Sequence, residues 1–163
     1  MAILVESGRA AVATAIMNQP IHLAWGEGDP SWDVSKPSEA TSTTGLLKEL
    51  GRLKAVDAYC VVPNNTGGGS IVVSGGKFDK SPNNAATKYL YLRFQFDFMD
   101  AQFASIRELG VYVGTNVTAA NKDVYLPNGA GNYSGGELLV LEYLDKLVRS
   151  SQIRQQFEFV IQF

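Results

Sequence analysis

Residues 88–114 read KYLYLRFQFDFMDAQFASIRELGVYVG and carry the clearest pattern in the chain. In the first half, apolar residues alternate with polar residues or tyrosines, and the apolar set is Leu90, Leu92, Phe94, Phe96 and Phe98. A period of two places successive side chains on opposite faces of an extended strand. The pattern therefore predicts a core strand over residues 90–98.

A second strand is predicted over residues 105–114, after a short connection. The connection at 99–104 is too short for a parallel crossover, which needs about a dozen residues, so the two strands are expected to pair antiparallel with each other. Gly110 interrupts the second strand. A strand glycine indicates a bulge or the close approach of another backbone.

Composition limits the classes of function that fit. The chain has 163 residues, enough for one domain with a proper core, and 14 basic residues against 16 acidic ones. A net charge of -2 argues against non-specific nucleic-acid binding. The single cysteine, Cys60, excludes an internal disulfide, and its apolar surroundings predict an inert buried thiol. Neither a basic leader nor a membrane-length apolar run is present, so no signal peptide and no membrane span are expected.

The remaining patterns complete an α+β fold. We expect a mainly antiparallel, sandwich-like sheet with one N-terminal helix and a short second helix, forming a single domain over residues 1–163. The predicted elements are a helix over 8–17 capped by Ser7, a strand over 20–25, a helical turn over 44–50, a strand over 52–62 with 71–74 as its hairpin partner, a short apolar segment over 138–144 that fits strand or helix and is taken as strand, and a strand over 153–163.

One surface loop contains an acidic cluster between two tryptophans. Glu27 and Asp29 lie between Trp25 and Trp32, and Asp33 directly follows Trp32. Their spacing differs from that of a calcium loop, so a solvated loop is the simpler interpretation, with a cation site or sugar subsite as the alternative. If the loop is functional, its tryptophans are better anchors for a protein partner than its carboxylates are for catalysis.

A second loop, the polar excursion over 115–136, is long for a compact domain, and such loops are often functional. It contains Tyr133. The candidate protein-interface residues of the two loops are Trp25, Asp29, Trp32 and Tyr133.

No residue pattern indicates catalysis or a cofactor. His22 is the only histidine, so no His-based metal cluster or His-paired nucleophile is available. The segment SGGKF at 74–78 lacks the first glycine and the hydroxyl residue of a phosphate-binding loop. We therefore predict no catalytic, cofactor-binding or metal-binding residues, and no enzyme activity.

Three stretches carry a resemblance to a known family. A helix and strand lead into the loop WGEGDPSW at 25–32, and TGLLKELGRLKAV at 44–56 forms a leucine-bearing turn before a basic strand. The third stretch is a strand that contains Ile106, Arg107, Glu108, Gly110 and Tyr112. The chain resembles the N-terminal, baseplate-attaching region of tail-fibre proteins from contractile-tailed bacteriophages. The third stretch matches that family's Ile-Arg-Glu-aliphatic-Gly-aliphatic-aromatic strand.

The resemblance implies a structural virion protein. It implies a baseplate or tail-tip component, assembled in the host cytoplasm, that attaches tail fibres. The implied partners are other phage tail or baseplate proteins, a fibre and further copies of the chain, with no nucleic acid and no membrane. The family follows its glycine strand with a tight turn, whereas here the polar excursion follows. Fibre proteins also continue into a shaft, so the resemblance implies the attachment module without the fibre. The alternative is a receptor-binding or glycan-binding module that stacks sugars on Trp25, Trp32 and Tyr133.

Overall fold

The computed structural model describes residues 1–118, 124–125 and 131–163. They form two compact units: residues 1–19, 55–94 and 157–163 make the first, and residues 20–54 and 95–156 make the second. The predicted α+β class is confirmed, because one α-helix accompanies a set of mainly antiparallel strands.

Helix α1 spans Glu6–Met17, and two 3-10 helices span Pro30–Asp33 and Pro82–Asn84. The strands are β1 Ile21–Gly26, β2 Glu49–Lys54, β3 Asp57–Pro63, β4 Ile71–Val73, β5 Gly76–Lys80, β6 Tyr89–Phe96, β7 Ser105–Val113, β8 Asn116–Val117, β9 Val124–Tyr125, β10 Tyr133–Ser134, β11 Glu137–Val148 and β12 Gln155–Gln162.

The strands form two five-stranded sheets, with the orders β11-β7-β1-β2-β9 and β12-β6-β3-β5-β4, and β10 pairs with β8. In the second unit, β7 lies between β1 and β11 and is antiparallel to both. In the first unit, a cluster of buried residues consists of Val61, Ile71, Phe78 and Tyr91.

The alternating strand is confirmed as β6. Leu90, Leu92, Phe94 and Phe96 are fully buried. Phe98 is 43% exposed, because β6 ends at Phe96 and the chain turns before it reaches Phe98. The prediction of a core strand therefore holds, but the strand is shorter at its C-terminal end than the alternation indicated.

The predicted pairing of the two central strands is wrong. β6 lies between β12 and β3 in one sheet, while β7 lies between β1 and β11 in the other. The connection between them is short enough for a hairpin, but both edges of each strand are occupied by other strands. Pairing partners that are distant in sequence override the local preference for a hairpin.

Two further strand predictions need correction. The strand expected over 52–62 is two strands, β2 and β3, which belong to different sheets. The expected hairpin partner at 71–74 contains β4, which pairs with β5, and β5 pairs with β3. The segment at 76–80, for which the sequence analysis predicts no strand, thus forms β5 and lies between β3 and β4.

The C-terminal predictions are confirmed. The segment over 138–144 is part of a longer strand, β11, and the chain enters β12 at Gln155.

Cys60 is a buried free thiol. His22 is buried, and burial together with the nearby Arg52 and Lys54 lowers its pKa to about 4.

The helix predictions are confirmed only in part. Helix α1 begins at Glu6 and not after Ser7, and its N-cap is Val5, whose side chain makes no capping hydrogen bond. The second helix, expected over 44–50, does not form, and residues 49–54 are the strand β2. Among the described helices, none is long and apolar enough to cross a membrane. Residues 119–123 and 126–130 of the predicted polar excursion lie outside the described residues.

Gly110 lies in the middle of β7, where side chains approach it closely. A Cβ atom added there would lie 2.5 Å from Leu46 Cδ1 and 2.8 Å from Leu138 Cδ1. The sequence indicated a bulge or the close approach of another backbone at this position, and the structure shows that the glycine makes room for two leucine side chains.

Gly110→Ala is therefore expected to lower the free energy of unfolding by about 1–3 kcal/mol, because the new methyl group overlaps both leucines. Urea denaturation of the purified chain measures this change. Gly68→Ala is the matched control, since a Cβ at Gly68 meets no atom within 4 Å. Equal effects of the two substitutions would contradict the packing argument.

Candidate protein-interaction site

Arg107 and Glu108 are consecutive residues of β7 and are both buried. Neighbouring residues of a strand point to opposite faces of the sheet, so the two side chains are expected to have separate partners. The structure confirms this expectation. Each side chain binds its own set of groups: both contact the loop at residues 27–33, and Glu108 also contacts residues 47–48. Together they hold the two other stretches that carry the family resemblance.

Arg107 holds the tryptophan-containing loop from one side. Its Nε and Nη2 donate to the two carboxylate oxygens of Asp33 at 2.6 and 2.9 Å, and its Nη1 donates to the Glu27 carbonyl at 3.1 Å. A bidentate guanidinium–carboxylate pair is among the stronger ionic interactions and restricts the orientation of both groups. Arg107 thereby ties both ends of residues 27–33 to β7.

Glu108 holds the same loop and a second segment through backbone groups. Its Oε1 accepts hydrogen bonds from the N–H of Gly28 at 3.2 Å and of Lys48 at 2.7 Å, and its Oε2 accepts one from Leu47 N–H at 2.9 Å. A fully buried carboxylate needs such donors, because an uncompensated charge in the interior is costly. Because Glu108 accepts hydrogen bonds from both segments, it joins residues 27–33 to residues 46–48.

These bonds explain why the predicted helical turn over 44–50 does not form. In a helix, the N–H groups of Leu47 and Lys48 would point to carbonyls within the preceding turn. Here they donate to Glu108, which is about 60 residues further along the chain. The Lys48 carbonyl accepts from Glu27 N–H at 3.0 Å, and the Lys48 ammonium pairs with the Glu27 carboxylate.

Trp32 covers the loop at Gly28. The φ angle of Gly28 is +59°, and a Cβ there would lie 2.6 Å from the Trp32 ring. Glycine adopts this left-handed conformation without a steric penalty. Trp32 is half-buried and also packs on Tyr143, with ring centroids 4.6 Å apart. The loop is thus stabilised by the packing of Trp32 as well as by the ion pair between Arg107 and Asp33. We call the side chains Arg107 and Glu108, with the segments that they bind, the clamp.

The acidic cluster is engaged in local interactions. Hydrogen bonding to Arg107 lowers the pKa of Asp33, and bonding to Lys48 lowers that of Glu27. Asp29 caps the 3-10 helix by accepting from Ser31 N–H, which lowers the pKa of Asp29. The Arg107–Asp33 pair therefore stabilises the loop fully at pH values above the ordinary pKa of an aspartate. This stabilisation is lost as the pH falls through the lowered pKa of Asp33. Within the described part of the chain, no group of three metal-ligating side chains is close enough to hold an ion.

Trp25 does not lie at a surface. It has no exposed area and packs edge-on against Phe96, with ring centroids 4.9 Å apart. The expectation that Trp25 anchors a partner is therefore corrected: Trp25 is a core residue on a strand whose residues are all buried. The sequence does not show that Trp25 is buried and Trp32 partly exposed. The difference arises because β1 ends at Gly26, between the two tryptophans.

Tyr133 is also buried, next to Arg52. The Arg52 guanidinium carbon lies 3.8 Å from the ring centroid of Tyr112 and 5.0 Å from that of Tyr133. Arg52 also pairs with Glu49 and donates to the Gly135 carbonyl at 2.7 Å. Tyr133 thus belongs to a buried cation–π cluster, so Trp25 and Tyr133 are unavailable as the stacking surfaces that a glycan-binding module would need.

Sequence reasoning missed two exposed residues beside the clamp. Val34 directly follows the 3-10 helix and is 93% exposed, and Leu47, whose backbone is bound by Glu108, is 66% exposed. A single apolar residue of this kind is a weak signal in sequence. We call the exposed parts of residues 27–34 and 44–48 the clamped surface. It contains Asp29, part of Trp32, Val34 and Leu47.

Comparison with known proteins agrees with the resemblance. The model of one protein family, described as "baseplate wedge 3 tail fiber network component", matches residues 1–163. The chain therefore belongs to this family and is a structural component of a phage tail baseplate. A search of curated proteins returned no match. The family assignment confirms the phage-tail resemblance inferred from Ile106, Arg107, Glu108, Gly110 and Tyr112.

Glu108→Gln is expected to lower the free energy of unfolding by about 2–4 kcal/mol. The amide replaces one accepting oxygen with a donor that faces a backbone N–H, and hydrogen bonds to charged groups are worth about 1.5–3 kcal/mol each. Urea denaturation measures the change, with the exposed Glu137→Gln as the matched control. If Glu108→Gln were as stable as the control, the carboxylate would not hold the clamp.

Proposed function

We propose that this chain is an adaptor module of the phage baseplate that docks a tail fibre or a neighbouring tail protein through the clamped surface. The observation that carries the proposal is the clamp itself, in which Arg107 and Glu108 hold residues 27–33 and 46–48 in one arrangement. Rigid loops bind with a smaller loss of conformational entropy than mobile ones. The family description, which names a tail fibre network, supports this class of partner.

The chemistry of the clamped surface suits a protein partner. Val34 and Leu47 offer exposed apolar area, and Trp32 offers part of an indole whose position is restricted by Gly28 and Tyr143. Buried aromatic and apolar anchors surrounded by polar groups supply most of the free energy of protein–protein binding. The exposed carboxylate of Asp29 adds a charge that can orient the bound partner.

The mechanism is assembly, without a catalytic step. Repeated copies around the tail axis would bind one partner at several points, so that individually modest contacts give a stable attachment. The family match covers both compact units, which supports our proposal that residues 1–163 act as a single attachment domain. Assembly into the tail would take place in the host cytoplasm.

The double substitution Val34→Asp and Leu47→Asp is expected to reduce incorporation into tails at least about 10-fold, because two charges would be buried in the contact. Both side chains are exposed, so the isolated chain should fold normally, as circular dichroism can show. Incorporation is measured by quantitative mass spectrometry of purified tails from phage that carry the variant gene.

Val72→Asp is the control, because Val72 is 64% exposed and lies on β4, outside the clamped surface. Normal incorporation of the control with loss of the double variant supports the proposal. Normal incorporation of the double variant would overturn it. Trp32→Ala is a less selective test, since it removes the contacts with Gly28 and Tyr143 and so also loosens the loop.

A further inference from the structure

Strand β11 lies at one end of the sheet of the second unit. Among the described residues, it has a strand neighbour on one side only, namely β7. An unpaired strand edge presents a row of backbone N–H and C=O groups that can pair with another strand, and proteins usually protect such edges with charges, bulges or covering loops. The protection of β11 along its length therefore indicates where another strand can be added.

The C-terminal part of this edge is covered by residues 36–39. Glu39 Oε1 accepts a hydrogen bond from the Tyr143 N–H at 2.9 Å, and Lys36 Nζ lies 3.5 Å from Asp145 Oδ1. A covering segment and exposed charges are both means by which proteins prevent unwanted strand pairing. Residues 143–145 are therefore protected.

The N-terminal part of the same edge borders an open groove instead. Residues 138–141 have the sequence LLVL, and all four are half-buried. A groove of about 240 Å³ lies between them and the segment at 39–43. Successive side chains of a strand point to opposite faces of the sheet, so a groove that is lined by four consecutive residues runs along the edge of the strand. We call it the β11 groove.

The register of β11 shows which backbone groups face the groove. The Tyr143 N–H is directed away from β7, since it donates to Glu39. Residues of an antiparallel pair direct their N–H and C=O groups alternately to the two edges, and the pairing of residues 140–143 with β7 is regular. Leu141 lies two residues before Tyr143, so its N–H and C=O also face away from β7. They provide one donor and one acceptor for an added strand.

The size and charge of the groove indicate the chemistry of its occupant. Its volume of about 240 Å³ exceeds the roughly 30 Å³ of one water molecule and is below the roughly 300–1,000 Å³ of small-molecule pockets, so it suits a short peptide segment. Glu39 is the charged residue of the lining. Burial and the charge of Glu39 raise the pKa of Glu142, and Lys36 offsets this only in part. A basic side chain bound here would relieve the repulsion between the two carboxylates.

A second copy of β11 fits this edge less well than a partner strand does. Residues 137–142 have the sequence ELLVLE. Two-fold antiparallel pairing centred on residues 138–141 would place Glu137 of each copy opposite Glu142 of the other. Like charges that lie directly opposite each other are destabilising, and the segment contains no basic residue to balance them.

We propose that the β11 groove binds an extended segment of a partner tail protein, which adds a strand along residues 138–141 and places a lysine or arginine against Glu39 and Glu142. The proposal rests on an edge that is protected over residues 143–145 and open and apolar over residues 138–141. In strand addition, backbone hydrogen bonds supply affinity and side-chain pockets supply specificity. The groove shares no residue with the clamped surface, so the two proposals can fail independently.

Peptide binding to the purified chain tests the proposal. The probes are short synthetic peptides that cover the other tail and baseplate proteins of the same phage, together with a peptide of the Glu137–Val148 sequence. Fluorescence anisotropy measures affinity, and NMR measures amide exchange at Leu141. We expect a basic partner peptide to bind and to slow this exchange. If no partner peptide binds, or the Glu137–Val148 peptide binds more tightly than all of them, the proposal is overturned.

Leu141→Pro should lower the affinity of the bound peptide at least about 10-fold. Proline removes the outward N–H but leaves the hydrogen bonds to β7 in place, which is the setting in which edge strands tolerate proline. Urea denaturation checks that the variant is folded. Wild-type affinity in the folded variant would overturn strand addition at this edge.

Glu142→Lys provides a second variant on an exposed side chain, and it should also weaken the basic peptide at least about 10-fold, because it replaces attraction with repulsion. Glu6→Lys, which reverses an exposed carboxylate in the first unit, is the matched control and should leave the affinity unchanged. The Val34→Asp/Leu47→Asp variant should bind the peptide as the wild type does. Equal affinities of the Glu142→Lys and Glu6→Lys variants would contradict the proposed place of the basic side chain.

Discussion

The buried carboxylate of Glu108 is the constraint on which the second unit depends most. It lies on a strand that is paired on both edges, and its two oxygens accept the N–H groups of Gly28, Leu47 and Lys48. An acceptor this deep needs donors, and the two loops supply them from backbone positions that would otherwise be unsatisfied. Together with Arg107 on the opposite face, Glu108 holds residues 27–33 and 46–48 in one defined arrangement. The three stretches that resemble phage tail-fibre proteins are thus the three parts of a single interaction network.

Sequence periodicity predicted which segments are extended, and it predicted little about how they pair. The alternation in β6 reports burial, which is a local property of each side chain, so Leu90, Leu92, Phe94 and Phe96 were assigned correctly. Pairing depends on partners far away in the chain, and β6 and β7 therefore entered different sheets despite their short connection. The leucine-bearing turn at 44–50 fits a helix by pattern, but the hydrogen bonds to Glu108 override that local preference.

The candidate site was predicted unevenly for a related physical reason. Trp25 and Trp32 look equivalent in sequence, yet one lies on a fully buried strand and the other on the loop that follows it. Tyr133 looked like a loop aromatic, but it packs in the interior beside the buried cation of Arg52. Val34 and Leu47 were missed because a single exposed apolar residue is common on protein surfaces. Val34 and Leu47 become candidate interface residues only because the clamp holds the segments that carry them, and that contact is not visible in the sequence.

Glu108 fixes the two loops through their backbone N–H groups. Amide hydrogen exchange of the wild-type chain, read by NMR, measures how firmly these groups are held. We expect the amides of Gly28, Leu47 and Lys48 to exchange as slowly as those of β7, because they can exchange only when the clamp opens. Exchange of these three amides as fast as that of the exposed Gly67 and Gly68 would show that Glu108 does not hold the loops.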